Sequence, residues 1–181
     1  MKRSRVRAAT LTAAAVSITL IGTQAAASAE NCDSTQISGT VTVEYHCVEP
    51  PYPEADSTMK VTFSAPPFAV KGSDIKVNAT VQSTTGVPLD IPANGVNGKV
   101  GVVYGGAFSG STDATGLTTA NRIPKGQPLT LTGGTTKVKA TAAGVVTFTP
   151  GKLETLNWLG NHLVCTPKTT PAVAVRTLVA G

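Results

Sequence analysis

Few residues in this chain of 181 belong to types that do chemistry. Two are histidines, His46 and His162. Glu44 stands two positions before His46, and in an extended strand such alternate side chains share a face. A Glu and a His so placed are the start of a small metal site. The plainer reading is preferred. Each histidine is the polar partner in an alternation whose inward members include a cysteine, so both are expected to be solvated strand side chains. No Cys/His set has zinc spacing, and no metal site is assigned. Ser73-Asp74-Ile75-Lys76 has the Ser-x-x-Lys spacing of penicillin-recognising enzymes. That chemistry needs the serine at a helix start, with the lysine one turn on to take its proton. Here Lys76 opens an alternating strand, and the companion Ser-Asp-Asn and Lys-Thr-Gly motifs are missing. The match is read as chance.

The chain carries no Gly-x-Ser-x-Gly and no phosphate-binding Walker loop. Paired carboxylates for glycoside hydrolysis have no fixed sequence spacing, so ten acidic residues always offer some eligible pair. No catalytic residue and no cofactor is assigned. Asn78-Ala79-Thr80 is a glycosylation sequon by pattern only, in the middle of an expected strand. Stacking on sugar rings calls for exposed aromatics. The chain has one Trp, three Tyr and four Phe. Tyr45, Phe63 and Phe148 alternate into the expected core, and Tyr52 and Trp158 are taken as the candidate ligand contacts. Tyr52 is flanked by prolines that would hold it stiffly, at little entropic cost on binding.

Three cysteines, Cys32, Cys47 and Cys165, could form one disulfide with one thiol left over. Spacing leaves two pairings open. A Cys47–Cys165 bridge closes a long loop, and a Cys32–Cys47 bridge closes a short and geometrically easy one.

The elements that must position these residues are strands. Val41, Val43, Tyr45 and Cys47 alternate with polar neighbours; so do Met59, Val61 and Phe63, and again Ile75, Val77, Ala79 and Val81. Three prolines between Glu49 and Glu54 exclude ladder and helix there. Val100 to Tyr104 is a further candidate strand. Short strands are also expected at Leu129–Leu131, Thr136–Ala140, Val145–Thr149, His162–Thr166 and Val173–Val179, with Pro150-Gly151 closing one of them. Gly105 to Gly116 reads as a flexible loop that could hide an edge strand, and Leu153 to Leu159 as the one helical turn. Any localised function is sought in the loop from Glu49 to Asp56 and in the Gly/Ser stretch from Gly105 to Gly116, because the ligand sites of such folds lie in loops. Eight or nine short strands without βαβ alternation predict an all-β, antiparallel, immunoglobulin-like β-sandwich.

The N-terminus reads as an export signal. Lys2, Arg3, Arg5 and Arg7 precede an apolar run from Ala8 to Gly22 and the small residues Ala27-Ser28-Ala29. The order predicts a cleavable signal peptide over 1–29 and a single secreted domain over 30–181. The apolar run is shorter than the ~20 residues a membrane span takes, so no stable membrane span is expected. The non-adjacent arginines favour the general secretory route over the twin-arginine one. The leader holds four of the 15 basic residues and none of the 10 acidic ones, which leaves 11 against 10 and a net charge of +1. A basic surface for nucleic acid is therefore not implied, and no nucleic-acid partner is expected. Charged residues make up only 14%, while Thr, Val, Gly and Pro abound, a composition suited to strands and turns.

Val43-Glu44-Tyr45-His46-Cys47 with its proline-rich sequel resembles the opening of a secreted actinobacterial immunoglobulin-like β-sandwich domain family of unknown function. Pro124-Lys125-Gly126-Gln127-Pro128 is similar to a later stretch of that family. Phe148, Gly151 and the closing Cys165 follow in the family's order, and Cys32 departs from it. The resemblance implies a Cys47–Cys165 disulfide joining the first strand to the penultimate one. Cys32 is then the candidate free thiol, available for a Cys32-linked dimer. The resemblance supplies fold and location but no catalytic residues. The resulting expectation is a secreted, non-enzymatic extracellular or cell-surface binding or structural module. Its partner would be a cell-wall polymer, a polysaccharide or another surface protein. The alternatives are a carbohydrate-binding module and, behind it, a small secreted hydrolase.

Overall fold

The computed structural model describes residues 36–181. The expected signal peptide and Cys32, with its thiol and dimer, lie outside the described residues. Ten strands run in order: β1 (Ile37–Val48), β2 (Ala55–Ala65), β3 (Phe68–Val70), β4 (Asp74–Gly86), β5 (Val96–Gly106), β6 (Gly110–Thr118), β7 (Pro128–Lys139), β8 (Gly144–Asn157), β9 (His162–Pro167) and β10 (Val175–Ala180). No helix occurs among the described residues. The described part of the chain is all-β and its pairing is antiparallel, apart from β3 lying parallel to β10.

The ladders close on themselves. β1 pairs with β2, β2 with β4, β4 with β7, β7 with β6, β6 with β5 and β5 with β8. β8 then pairs with β9, and β9 returns to β1. β8 is 14 residues long. Along the edge that β5 leaves free, it takes β10 against Gly144–Phe148 and β9 against Leu153–Leu156. Closure satisfies most strand edges within the fold, and the outermost strand, β3, is only three residues long, a length that gives little for another chain to pair with.

Period-two patterning decides which side of each ladder is buried. Val43, Tyr45 and Cys47 of β1, Met59, Val61 and Phe63 of β2, and Ile75, Val77, Ala79 and Val81 of β4 all face the core. Their polar neighbours Thr42, Glu44, His46, Lys60 and Lys76 are exposed. Tyr45, Phe63 and Phe148 are fully buried, each removing enough apolar surface to stabilise by about 2–3 kcal/mol. The Tyr45 hydroxyl is carried inside with its ring. It donates to the Gly151 carbonyl at 3.0 Å, which meets the demand of both buried groups.

Three expectations are corrected. Leu153–Leu159 is not a helical turn: Leu153 to Asn157 continue β8, with Leu153 and Thr155 buried and Leu156 exposed. Gly105–Gly116 is neither a free loop nor an edge. Gly105–Gly106 ends β5, and β6 starts at Gly110, flanked by β5 and β7. Gly, Ser and Thr here mark strands whose neighbours approach closely. Pro150-Gly151 does not end a strand. β8 runs through it, because Pro150 falls at a register shift opposite β5 and between the stretches that face β10 and β9. A missing N–H costs little at such a place.

Candidate functional site

The disulfide fixes one end of the molecule. Cys47 and Cys165 are register partners on β1 and β9, and their sulfurs are bonded at 2.08 Å. Both sit in the buried row of their strands. The bridge thus anchors β1 just before it leaves the ladder into the proline loop. In that loop Tyr52 N donates to Glu49 O at 2.8 Å, closing a turn across the two prolines. Tyr52 emerges 56% exposed.

Beside this turn lies the one joining β8 to β9. Asn157 builds it. Its Oδ1 accepts from the amides of Leu159 and Asn161, each at 3.0 Å, and its backbone N–H donates to Asn161 O. Gly160 takes the left-handed φ of 86° that reverses the chain. Trp158 N donates to Gly95 O at 2.8 Å, which ties the turn to the start of β5. Trp158 remains 41% exposed. The two turns meet through a side-chain bond: Asn157 Nδ2 donates to Glu49 Oε1 at 3.2 Å.

Between them, and against residues 87–91, is a cleft of about 380 Å³. Ile91, Val96 and Thr155 are its buried floor. Half-buried Leu129 and Leu163 form its sides, and Tyr52, Leu89, Trp158 and Leu159 its exposed rim. Glu49, Asn157 and Asn161 supply the polar groups. The structure therefore brings Tyr52 and Trp158, the two aromatic candidates, to one cleft. Of the two loop regions singled out in sequence, the first contributes Glu49 and Tyr52, and Gly105–Gly116 contributes nothing. Sequence reasoning included Glu49 only as the first residue of the loop from Glu49 to Asp56 and missed Asn157, Asn161 and the leucines. The Asn157-to-Asn161 turn was readable from its Asn and Gly residues, but the apolar pattern before it suggested a helix. The leucines carried no signal, since only the fold distinguishes a cleft wall from core.

The histidines stand elsewhere. His46 is exposed on β1 directly opposite Asp56 of β2. Its Nδ1 lies 3.1 Å from Asp56 Oδ1 and its Nε2 3.1 Å from Glu54 Oε2. Its partners are thus Asp56 across the ladder and Glu54 just before β2, rather than Glu44. The hydrogen bond to Asp56, then that to Glu54, raises the imidazole pKa. Lys168 Nζ binds the other Asp56 oxygen at 2.6 Å, and this contact first, then His46, holds the Asp56 carboxyl below its usual range. Among the described residues, no three of His, Cys, Asp and Glu are placed to hold a metal ion. His162 Nε2 lies 3.9 Å from Glu154 Oε2, on an outer face where Lys152 and Lys99 also reach Glu154. Lys152 foremost lowers the Glu154 pKa. Ser73 Oγ is used in its own turn, donating to Val70 O at 2.7 Å. Lys76 projects to solvent from β4.

Comparison with known proteins finds no matching family model, no matching curated sequence and no matching solved structure. Over the described residues the fold and the site define an all-β protein with an aromatic-rimmed cleft whose Glu49 and Leu163 lie close in sequence to the disulfide cysteines.

Proposed function

We propose that the protein is an exported, non-enzymatic binding module, and that the cleft rimmed by Tyr52 and Trp158 is its ligand site. One observation carries the reading. Two exposed aromatic side chains, 106 positions apart in sequence, line the same cleft from two turns that are hydrogen-bonded to each other. Exposed aromatics cost water structure and aggregation risk, and a concave site with an apolar lining and a few polar groups is the usual form of a ligand pocket. The titratable groups, by contrast, are spread over exposed strand faces and loops, mostly in ion pairs, an arrangement that gives no general base held beside a nucleophile among the described residues.

The chain architecture we propose is the immunoglobulin-like sandwich of the secreted actinobacterial family that the sequence resembles, with the closed ring flattened into two faces. The Cys47–Cys165 bridge between first and penultimate strands supports that reading. We place the protein outside the cell, released or held at the wall, with maturation before Glu30. N-terminal sequencing of the exported protein tests the last point; recovery of Met1 or Lys2 on it argues for an uncleaved anchor.

Carbohydrate binding is the second reading, favoured by the pairing of two aromatics with Asn161 and Glu49 at one cleft. Trp158 is the only tryptophan in the chain, so its fluorescence reports on this site alone. Mature protein titrated with solubilised wall fragments, a polysaccharide panel and small apolar compounds should shift that emission for one class. Tyr52→Ala should weaken the response at least tenfold. Substrate turnover in a glycoside, ester or peptide screen would overturn the non-enzymatic reading.

A further inference from the structure

The charge inside the cleft says more about its ligand than its shape does. Glu49 is its one acidic residue, and no Lys, Arg or His lines it. The Glu49 carboxylate is half-buried and accepts a hydrogen bond from the neutral Asn157 amide. Among the described residues it makes no ion pair, whereas most of the other acids beyond Gln36 do. Beside it stand Tyr52 and Trp158, whose ring faces carry negative potential and attract cations. In the floor, the Ile91 and Val96 side chains offer no hydrogen bonds, and the Thr155 hydroxyl is its one polar side-chain group.

We infer that the cleft takes a small organic ammonium: an apolar body on the floor, with a cationic nitrogen between the Glu49 carboxylate and the aromatic rim. This deepens the binding-module reading and rests on it. A neutral apolar ligand would strip water from Glu49 and return nothing for it, which is costly for a charged group. An anion would meet the one charge of the cleft as repulsion. An ammonium restores what the carboxylate loses and gains cation–π attraction besides. The volume of about 380 Å³ lies near the lower end of ligand pockets, roughly 300–1,000 Å³, so the ligand is a small molecule rather than a polymer segment.

The experiment uses Trp158 fluorescence and two compounds of matched shape, 4-phenylbutylammonium and 4-phenylbutan-1-ol, on the mature disulfide-bonded protein. The ammonium should bind at least tenfold more tightly than the alcohol, and the preference should shrink as salt is raised. Glu49→Gln keeps an oxygen for Asn157 and should erase the preference while leaving alcohol binding in place. Equal affinity for the two compounds, or a preference unchanged in Glu49→Gln, overturns the inference and leaves the binding-module reading standing. If neither compound, nor any member of the polysaccharide and wall panel, perturbs Trp158, the inference and the reading both fall.

Discussion

Asn157 Nδ2 donates to Glu49 Oε1 at 3.2 Å, joining two turns whose residues are 108 positions apart. Asn157 also holds the amides of Leu159 and Asn161, so one side chain shapes the Trp158 turn and fastens it to the Tyr52 turn. Asn157→Ala should cost about 1–3 kcal/mol, the scale for lost hydrogen bonds that leave partners unmet. Hydrogen exchange at the Leu159 and Asn161 amides should accelerate more than at the core strands. Asn157→Asp keeps the Oδ1 acceptor for both amides and loses the donor. Its turn amides should stay protected while the melting temperature falls through repulsion from Glu49. Equal protection loss in both variants would show that the Oδ1 bonds do not hold the turn.

The Cys47–Cys165 bridge spans a sequence separation of 118. Constraining so long a loop in the unfolded chain predicts a loss of about 2–5 kcal/mol in a Cys47→Ala/Cys165→Ala double variant. Urea unfolding with and without the bridge measures it. Peptide mapping without reductant should recover the linked Cys47 and Cys165 peptides; a Cys32–Cys47 peptide as the main species would refute the pairing.

Tyr45 places its hydroxyl against the Gly151 carbonyl inside the core, and burial pushes the phenol pKa up. Tyr45→Phe should keep the packing and strand the carbonyl, at about 1–2 kcal/mol. The same reasoning applies to Thr177, whose buried Oγ1 donates to Pro66 O at 2.8 Å; Thr177→Val should lower stability by a similar amount. Chemical denaturation of the two single variants and their double tests additivity, expected because the sites share no hydrogen-bond partner.

Protonated His46 donates to both Asp56 and Glu54, so its folded pKa lies above the ordinary value of 6.5. A raised pKa means the stabilisation is full below the unfolded pKa and disappears as pH rises through the folded one. The melting temperature should therefore decline as pH climbs from about 6 into the alkaline side of neutrality, and His46→Gln should flatten that slope. Asp56 moves the other way. Lys168 and His46 lower its pKa, so its contribution is present above the ordinary carboxyl value and fades as pH falls through the folded one. A slope that survives in His46→Gln would assign the alkaline loss to another group.

The local order of this chain was legible in its residues. Alternation of Val, Tyr, Phe and Ile with Thr, Lys and His named the buried rows of β1, β2 and β4, because a strand must turn every second side chain to the core whatever its neighbours are. Prolines between Glu49 and Glu54 named the loop for the same local reason, since they cannot donate to a ladder. The exposure of both histidines followed from that same alternation. Pairing was another matter. Nothing local says that β8 is long enough to serve β5, β9 and β10, so Pro150 read as a strand end and Leu153–Leu159 as a helix. Gly105–Gly116 read as loose chain because glycine and serine lack the side chains that betray a strand, and only pairing with flanking strands orders them. The cleft depended on tertiary structure most of all. Tyr52 and Trp158 could be chosen as unburied aromatics, but their meeting requires β1 and β8 to be brought together through β9. Glu49 joins them only there, as a carboxylate set among Asn157, Asn161 and apolar side chains, with no Lys, Arg or His lining the cleft among the described residues.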